Sequence, residues 1–339
     1  MIMSKLKIQD YQIIAEDEKK YLSFPDIIQS VYNSDKFFIV YREADYHHPT
    51  YSSLHFLKST DKGLTWKCSK KWKLSMKENG YVWNCPRLCY LPDGSLNIVC
   101  DTKSSRDERT AEFKIFILKS FNDGTTFEKV CKTEMRGMVP DKIISFKKNL
   151  FCANHVVDLE NETLTQLVNG SRDGGKTWYD CHIVARNKQY RFCEASVINF
   201  KNKYLLAYLR DNRYDLSAEG KMIPRFIQKF ASKDGIHWRP WGSFHIYGHR
   251  ITCLYEDNRL FASLRNTKHI GITLVTAELD DIAQEKKKSF IQIEDESYDN
   301  LFHCGYTGLV KNENELMVVY YIKKDKPNPF IKLCRLTYK

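Results

Sequence analysis

The chain alternates short apolar runs, rich in Val, Ile, Leu, Tyr and Phe, with polar turns that contain Gly, Asp and Asn. Runs such as "FFIVYRE", "LNIVCDT" and "ELMVVYYIKK" have the length and the β-branched and aromatic content of buried strands. They follow one another along the sequence with turn residues between them. The pattern predicts an all-β protein.

One turn sequence recurs along the chain. Its copies are "STDKGLTW" (59–66), "SFNDGTTF" (120–127), "SRDGGKTW" (171–178) and the shorter "SKDGIHW" (232–238). They lie roughly 50 to 60 residues apart, the spacing of the blades of a β-propeller. An Asp carboxylate accepts backbone N–H groups within a tight turn, Gly allows a positive φ, and the last aromatic side chain packs between neighbouring blades. We therefore interpret the repeat as a structural turn between two strands of each blade.

Strand periodicity divides the chain into six units. The first reads "PDIIQSV", "FFIVYRE", "SSLHFLKS" and "KCSKKWKL", whereas the sixth has only "GYTGLVK", "ELMVVYYIKK" and "FIKLCRLTY". Residues 5–17, "KLKIQDYQIIAED", read as a strand that belongs to no unit, so we predict that they complete the sixth. This pairing closes a six-bladed β-propeller of four-stranded antiparallel blades without exposed edges. We expect one domain over residues 1–339, because no Pro/Gly/Ser-rich linker supports two separate β-domains.

Composition and charge narrow the class of partner. The formal net charge of +11 comes mostly from scattered lysines, without the basic block that nucleic-acid binding would favour; it indicates either an anionic partner or a Lys-rich solvated surface. We expect no membrane contact, since no run approaches the ~20 apolar residues of a membrane span. The start, "MIMSKLKIQDYQII", lacks the features of a secretory signal, which predicts a cytoplasmic protein.

The cysteines predict neither a disulfide framework nor a metal site. The chain has 11 cysteines, and several lie inside apolar runs, where thiols behave as small hydrophobic groups. Cys85 and Cys89 have the closest spacing to a ligand pair, but no second pair at zinc-site spacing follows them. We expect reduced thiols, no metal and no cofactor.

Candidate site residues follow from the topology. In a propeller the innermost strands begin, and the second strands end, on the same face, so side chains at these positions converge. The strand starts carry Asp26, Arg87, Asp141, Glu194, Arg250 and Tyr306. The strand ends carry Arg42, Glu43, Asp101, Asp158, Arg210, Asp211 and Arg265. Any one of them could be a charged loop residue in solvent, but so many arginines and carboxylates on one face predict a pocket for an acidic glycan.

The repeated turn, Ser-x-Asp-x-Gly-x-Thr-Trp, resembles the Asp-box of the sialidase superfamily of six-bladed propellers. Two further strings resemble sialidase sites: "FCEASVINFKNKYLLAYLRDN" contains Glu194 and Arg210, and "HCGYTGLVKNENELMVVYY" contains Tyr306. The resemblance implies that Tyr306 is a nucleophile, that Glu194 is its base and that Arg210 binds the substrate carboxylate. The resemblance also implies a second carboxylate-binding arginine, for which Arg265 of "LFASLRNTKH" is the candidate and Arg250 its rival.

The chain departs from the sialidase pattern in its first unit. Sialidases have an Arg-Ile-Pro string where this chain reads "LSFPDIIQS", with Ser23 and Phe24 before Pro25, so one arginine is absent. Arg42 or Arg87 could reach the same carboxylate from another direction. The resemblance places the acid/base residue in the loop after the second strand, where Asp45 lies. Its competitors there are Glu43, His47 and His48.

Three hypotheses follow for the function. The leading one is a retaining glycosidase of sialidase type, with Tyr306, Glu194 and either Asp45 or His48 as catalytic groups. Its substrate-binding residues would be Arg210, Arg265, Arg42, Arg87, Arg250, Asp26, Glu43 and Asp101. The second is a glycan-binding propeller without catalysis, which the absent arginine favours. The third is a protein-interaction scaffold with a charged funnel; the functional residue types on one face argue against it. The sequence leaves the oligomeric state open.

Overall fold

The computed structural model describes residues 6–128, 131–213 and 215–338. The protein is nearly all β and its strand pairs are antiparallel. The described helical segments are α1 (Met76–Asn79) and a 3-10 turn (Tyr298–His303). No helix of the described ranges is long and apolar enough to cross a membrane.

The described strands form five sheets, which we number in chain order. The first described strand is β1 (Leu6–Ala15). Sheet I contains β2 (Tyr21–Gln29), β3 (Phe37–Ala44), β4 (Tyr51–Ser59) and β5 (Lys67–Ser75). Sheet II contains β6 (Val82–Tyr90), β7 (Leu96–Lys103), β8 (Phe113–Ser120) and β9 (Cys131–Lys132). Sheet III contains β10 (Ile144–Phe146), β11 (Asn149–Asp158), β12 (Thr163–Ser171) and β13 (Asp180–Ala185).

Sheet IV is larger than the others. It contains β14 (Phe192–Phe200), β15 (Tyr204–Asp211), β16 (Phe226–Ser232), β17 (Trp238–Glu256), β18 (Arg259–Asn266), β19 (Gly271–Leu279) and β20 (Glu285–Asp295). The long strand β17 pairs with β16 as far as Tyr247 and with β18 from Gly248 onward. Strand periodicity predicts two separate strands here, "RPWGSFH" and "HRITCLYE", but the chain continues as one strand through the three residues between them.

Sheet V contains β21 (Gly305–Asn312), β22 (Glu315–Ile322) and β23 (Phe330–Tyr338), and β1 is its fourth strand. Pairing of β1 with β23 runs from Leu6 opposite Tyr338 to Ala15 opposite Ile331. The first and last described strands of the chain therefore lie side by side.

Apolar side chains fill the interfaces between sheets. The strand β3 shows how: Phe37, Ile39 and Tyr41 belong to a cluster shared with sheet V, whereas Phe38 and Val40 belong to one shared with sheet II. Alternate residues of a strand point to opposite faces, so a central strand covered on both faces needs a continuous apolar run. Antiparallel sheets packed in this way are consistent with a β-propeller.

The recurring turn has one departure from its expected chemistry. Asp173 accepts hydrogen bonds from the backbone N–H groups of Lys176 and Thr177, both at 3.0 Å, as expected. In the second copy Asn122 occupies the equivalent position and accepts from Thr126 N at 2.8 Å. The neighbouring Asp123 instead accepts from Ser30 Oγ at 2.9 Å, and so connects sheets I and II.

Candidate active site

Irregular backbone at the start of the inner strands directs side chains toward one another. The β2/β3, β14/β15, β17/β18 and β21/β22 pairings each contain a register shift near the start of the inner strand. The residues at these shifts have positive φ without being glycine: Phe24 (56°), Glu194 (53°), Arg250 (33°) and Tyr306 (42°). A β-bulge redirects a side chain, and left-handed backbone at a non-glycine residue costs of order 1–3 kcal/mol, so such residues concentrate at functional sites.

A cavity of about 260 Å³ lies above these bulges. It is mainly lined by polar and charged side chains. They are His47, His48, Asn84, Lys103, Glu108, His155, Glu194, Arg210, Asn212, Arg265 and Tyr306. Phe24 and Phe302 supply aromatic surface.

Tyr306 and Glu194 are in contact in the lining of this cavity. The Tyr306 hydroxyl donates a hydrogen bond to Glu194 Oε1, and Arg210 Nη1 donates to Glu194 Oε2 at 2.9 Å. Arg210 Nη2 in turn donates to Asn212 Oδ1 at 2.6 Å. The side chains of Tyr306, Glu194 and Arg210 are all buried. The carboxylate is therefore fixed between a hydroxyl donor and a guanidinium.

This arrangement shifts the pKa values of Glu194 and Tyr306 in opposite directions. Burial opposes ionisation of Glu194, but Arg210, His155 and the Tyr306 hydroxyl together lower the pKa of its carboxyl to about 2. Burial and the adjacent Glu194 charge raise the pKa of Tyr306 well above its usual value. At neutral pH the pair consists of a phenol and an anionic carboxylate that accepts its hydrogen bond.

Two further cations face the cavity without a carboxylate partner. Arg265 Nη1 donates to the Leu301 carbonyl oxygen at 2.9 Å, and Lys103 Nζ lies 3.3 Å from His48 Nδ1. Both residues are 2% exposed, and within the described ranges neither forms an ion pair. Buried charge without a counter-charge is costly, so a bound anion would compensate these two groups.

Arg42 lies close to the cavity but is shielded from it. Its Nε donates to Ser23 Oγ at 3.1 Å and its Nη2 donates to the His47 carbonyl oxygen at 3.0 Å. The guanidinium lies 4.3 Å from the ring centroid of Phe24, which lines the cavity. Arg42 is fully buried and is not among the residues that line the cavity.

The remaining predicted arginines and two carboxylates are buried, do not line the cavity and connect the inner strands. Arg250 Nη2 lies 3.2 Å from Asp141 Oδ1, and Arg87 Nη1 lies 3.8 Å from Asp26 Oδ1. Asp26 also accepts from the backbone N–H of Leu88 at 2.8 Å. These side chains do not line the cavity, so their place indicates a structural role.

Asp101 likewise supports backbone. Its Oδ1 accepts from Cys85 N and its Oδ2 from Val139 N, both at 3.0 Å, which ties β7 to β6 and to the segment that precedes β10. Topology brings Asp101 to the expected face, but its oxygens are occupied by these N–H groups. It is not among the residues that line the cavity.

The predicted acid/base candidates are dispersed. Asp45 Oδ1 accepts from Thr50 N at 3.0 Å, and these loop hydrogen bonds outweigh burial and lower its pKa. Glu43 lies 3.0 Å from His55 Nε2, away from the cavity. His48 does line the cavity, but burial and the nearby Lys103 lower its pKa to about 4. His47 forms a 3.0 Å hydrogen bond with Tyr21 Oη.

Sequence reasoning missed Lys103, Glu108 and His155. Lys103 ends β7 much as Arg265 lies near the end of β18, so the topological rule that selected Arg265 could have found it. Glu108 lies in the loop between β7 and β8, where no sequence pattern marks it. No cluster of potential ligands for a metal ion occurs among the described residues.

No protein-family profile matches the chain, and no curated protein matches it in sequence. Solved structures are similar to it in fold. A protein of unknown function from Dyadobacter fermentans is 19% identical, with a TM-score of 0.77 and coverage of 98% of this chain and 99% of that one. The GH93 α-L-arabinofuranosidase of Fusarium graminearum, solved with arabinobiose, is 12% identical, with a TM-score of 0.70 and coverage of 98% of both chains.

The NanB sialidase of Streptococcus pneumoniae is 10% identical, with a TM-score of 0.70 and coverage of 97% of this chain and 70% of that one. At such identities a structural likeness shows the fold alone. The chain therefore has a sialidase-like fold, the fold of glycoside hydrolases that include sialidases and a GH93 arabinofuranosidase.

Proposed function

We propose that this protein is a retaining glycosidase of sialidase type that removes a terminal acidic sugar. The observation that carries the proposal is the buried hydrogen bond from Tyr306 to Glu194, with Arg210 on the other carboxylate oxygen. A Tyr hydroxyl is a weak nucleophile unless a base takes its proton, and sialidases are the glycosidases that use Tyr. The residues that we propose as nucleophile and base are thus joined by a hydrogen bond.

The first chemical step follows from this contact. Tyr306 Oη attacks the anomeric carbon and its proton passes to Glu194 as the C–O bond forms. The proton moves to Glu194 as the new C–O bond forms, because the phenol becomes strongly acidic only when its oxygen begins to share electrons with carbon. A neutral phenol also approaches an anionic sugar without the repulsion that a carboxylate nucleophile would meet. The second step reverses these transfers as water releases the sugar and Tyr306 regains its proton from Glu194.

The charges of the cavity favour an anionic sugar. Arg265 and Lys103 form no ion pair with a carboxylate of the described residues, and guanidinium groups pair bidentately with carboxylates. A neutral sugar would bury both cations further without compensating them. A sugar carboxylate of the nonulosonic acid type supplies the missing charge.

We further propose that sheet IV contains two blades that share the strand β17, which makes six blades in a single domain over residues 1–339. Support comes from the pairing of β1 with β23 and from the apolar cluster shared by sheets I and V. A ring closed by its two ends has no exposed blade edge. It also holds Glu194 and Tyr306, which are far apart in sequence, on facing walls.

A second candidate function is glycan binding without turnover. It is favoured by Phe24, which covers Arg42 and stands in the string where sialidases have an arginine. A site with fewer cations on the carboxylate holds the sugar less rigidly against the nucleophile, and small losses of alignment reduce turnover strongly.

The experiment that tests the proposal is hydrolysis of a panel of aryl glycosides. It includes α-glycosides of several nonulosonic acids, together with neutral arabinofuranosides and galactosides as controls. We expect release of the acidic sugars only, with the first-formed anomer retaining the substrate configuration by proton NMR. Binding of acidic sugars without release would support the second candidate, and release of neutral sugars alone would contradict the assignment of an acidic substrate.

A further inference from the structure

We propose that Glu108 is the general acid of this site and protonates the leaving-group oxygen. This inference rests on the proposed glycosidase function. Glu108 lies on the loop between β7 and β8 and lines the same cavity as Tyr306 and Glu194. It thereby gives the cavity a second carboxyl group.

The depths of the two carboxyl groups suit two different roles. Glu194 and Tyr306 are only 6% and 8% exposed, whereas Glu108, which lines the same cavity, is exposed. From this difference we infer that Glu194 and Tyr306 lie deep in the cavity and that Glu108 lies toward its opening. A terminal sugar enters with its reacting ring inward and its leaving group toward solvent. The proton donor is therefore required near the mouth, where Glu108 lies.

The surroundings of Glu108 favour its protonated form. Desolvation by the surrounding protein raises the pKa of the Glu108 carboxyl, although the residue keeps an exposed surface. Glu194 of β14 and Asp101 of β7 act in the same direction, while Lys103 of β7 and Arg210 of β15 oppose them. Among the described residues, no side chain donates a hydrogen bond that would hold the Glu108 carboxyl in its charged form.

The histidines that line the cavity are poor alternatives as proton donors. The pKa of His48 and that of His155 are each lowered to about 4, mainly by burial, so both are neutral near pH 7. They add no positive charge that would ionise Glu108. Asp45 lies outside the cavity lining, and Thr50 occupies its oxygens.

The proton balance closes over both steps. In the first, the glycosidic C–O bond breaks and its oxygen takes the Glu108 proton, while Tyr306 bonds to the anomeric carbon and gives its own proton to Glu194. In the second, the Glu108 carboxylate takes a proton from the attacking water, and Tyr306 leaves and recovers its proton from Glu194. Both carboxyl groups return to their starting states.

The variant Glu108→Gln tests this role with two leaving groups on the same acidic sugar. An alkyl leaving group needs protonation, and we expect its kcat/KM to fall by roughly 10²- to 10⁴-fold. A nitrophenyl leaving group departs as a stable anion, so its kcat/KM should fall by less than about tenfold, as general-acid theory requires. The alkaline limb of the wild-type pH profile should disappear in the variant.

Asp107→Asn is the matched control, because it removes one negative charge from the adjacent position of the same loop and keeps the acceptor for Arg109 N. It should leave both substrates within about twofold of wild type, the scatter expected for a surface change. The acid role of Glu108 would be overturned if Glu108→Gln lost the same factor in kcat/KM on both leaving groups, or if its alkaline limb were unchanged. In that case turnover by the wild-type protein would still support the proposed function. A wild-type protein without turnover would overturn both.

Discussion

The guanidinium of Arg42 lies 4.3 Å from the ring centroid of Phe24, and this contact separates a fully buried arginine from the cavity. Arg42 lies opposite Ser23 in the β2/β3 pairing, just as Arg265 lies opposite His249 in the β17/β18 pairing. Each arginine therefore pairs with the residue immediately before a bulge. The Phe24 ring encloses Arg42, whereas Arg265 lines the cavity.

Removing the Phe24 ring should expose Arg42 to ligand. We predict that Phe24→Ala strengthens binding of an acidic sugar by about tenfold, the value of one additional charge-assisted contact, and destabilises the fold by about 3 kcal/mol through the lost packing. Isothermal titration and urea unfolding measure the two effects. Adding Arg42→Met to Phe24→Ala should abolish the gain in affinity; an unchanged affinity in Phe24→Ala alone would show that Arg42 does not reach the ligand.

The N-terminal strand should be essential for stability. Deleting residues 1–17 removes β1 and exposes the edge of β23 together with apolar surface of sheet V. We predict aggregation or a strongly lowered Tm, measured by scanning calorimetry and light scattering. Deleting residues 1–5 alone is the control and should leave Tm unchanged. A folded, monodisperse protein after the longer deletion would contradict the proposed ring closure.

Buried histidines should make the protein sensitive to mild acid. Burial, opposed by Glu194 and reinforced by Arg210, lowers the pKa of His155 to about 4. The unfolded chain, with a His pKa near 6.5, binds more protons between about pH 6.5 and pH 4, so stability is lost as pH falls through that window. The stability that Glu194 contributes is lost only at lower pH, as the pH falls from about 4.5 to about 2.

The variant His155→Gln should flatten this dependence. The substitution removes one site at which the unfolded chain binds an extra proton. The slope of the free energy of unfolding against pH should therefore fall by at most about 1.4 kcal/mol per pH unit. The measurement is the free energy of unfolding in urea at several pH values from 4 to 8. Above pH 7 the plots of the two proteins should run parallel, and an unchanged slope below pH 6.5 would show that His155 is not held in its neutral form.

Strand periodicity predicted the parts of the site that depend on topology. Glu194 and Tyr306 start inner strands, and the structure brings them into contact. The same rule selected Arg87 and Arg250, which instead pair with Asp26 and Asp141 and do not line the cavity. The rule gives the face of a sheet but not the depth at which a side chain lies, and depth depends on the neighbours that pack around it.

The roles of loop residues and the course of short connections could not be predicted from the sequence, for a different reason. A loop has no period, so nothing marks Glu108 as a cavity residue or shows that the oxygens of Asp45 bind Thr50. Likewise β17 continues through the point where a break was expected, since a three-residue connection favours extended backbone as readily as a turn. Asn122 replaces Asp in one turn because an amide oxygen accepts the same N–H.

The most direct test of the account is the kcat/KM of Tyr306→Phe on an acidic aryl glycoside, measured beside its Tm. The substitution removes one oxygen and keeps the ring, so packing against Phe24 is preserved while the bond to Glu194 is lost. We predict a loss of at least about 10³-fold in kcat/KM, as for removal of a nucleophile, with Tm within a few degrees of wild type. Turnover within about tenfold of wild type, with an equally stable protein, would contradict Tyr306 as the nucleophile.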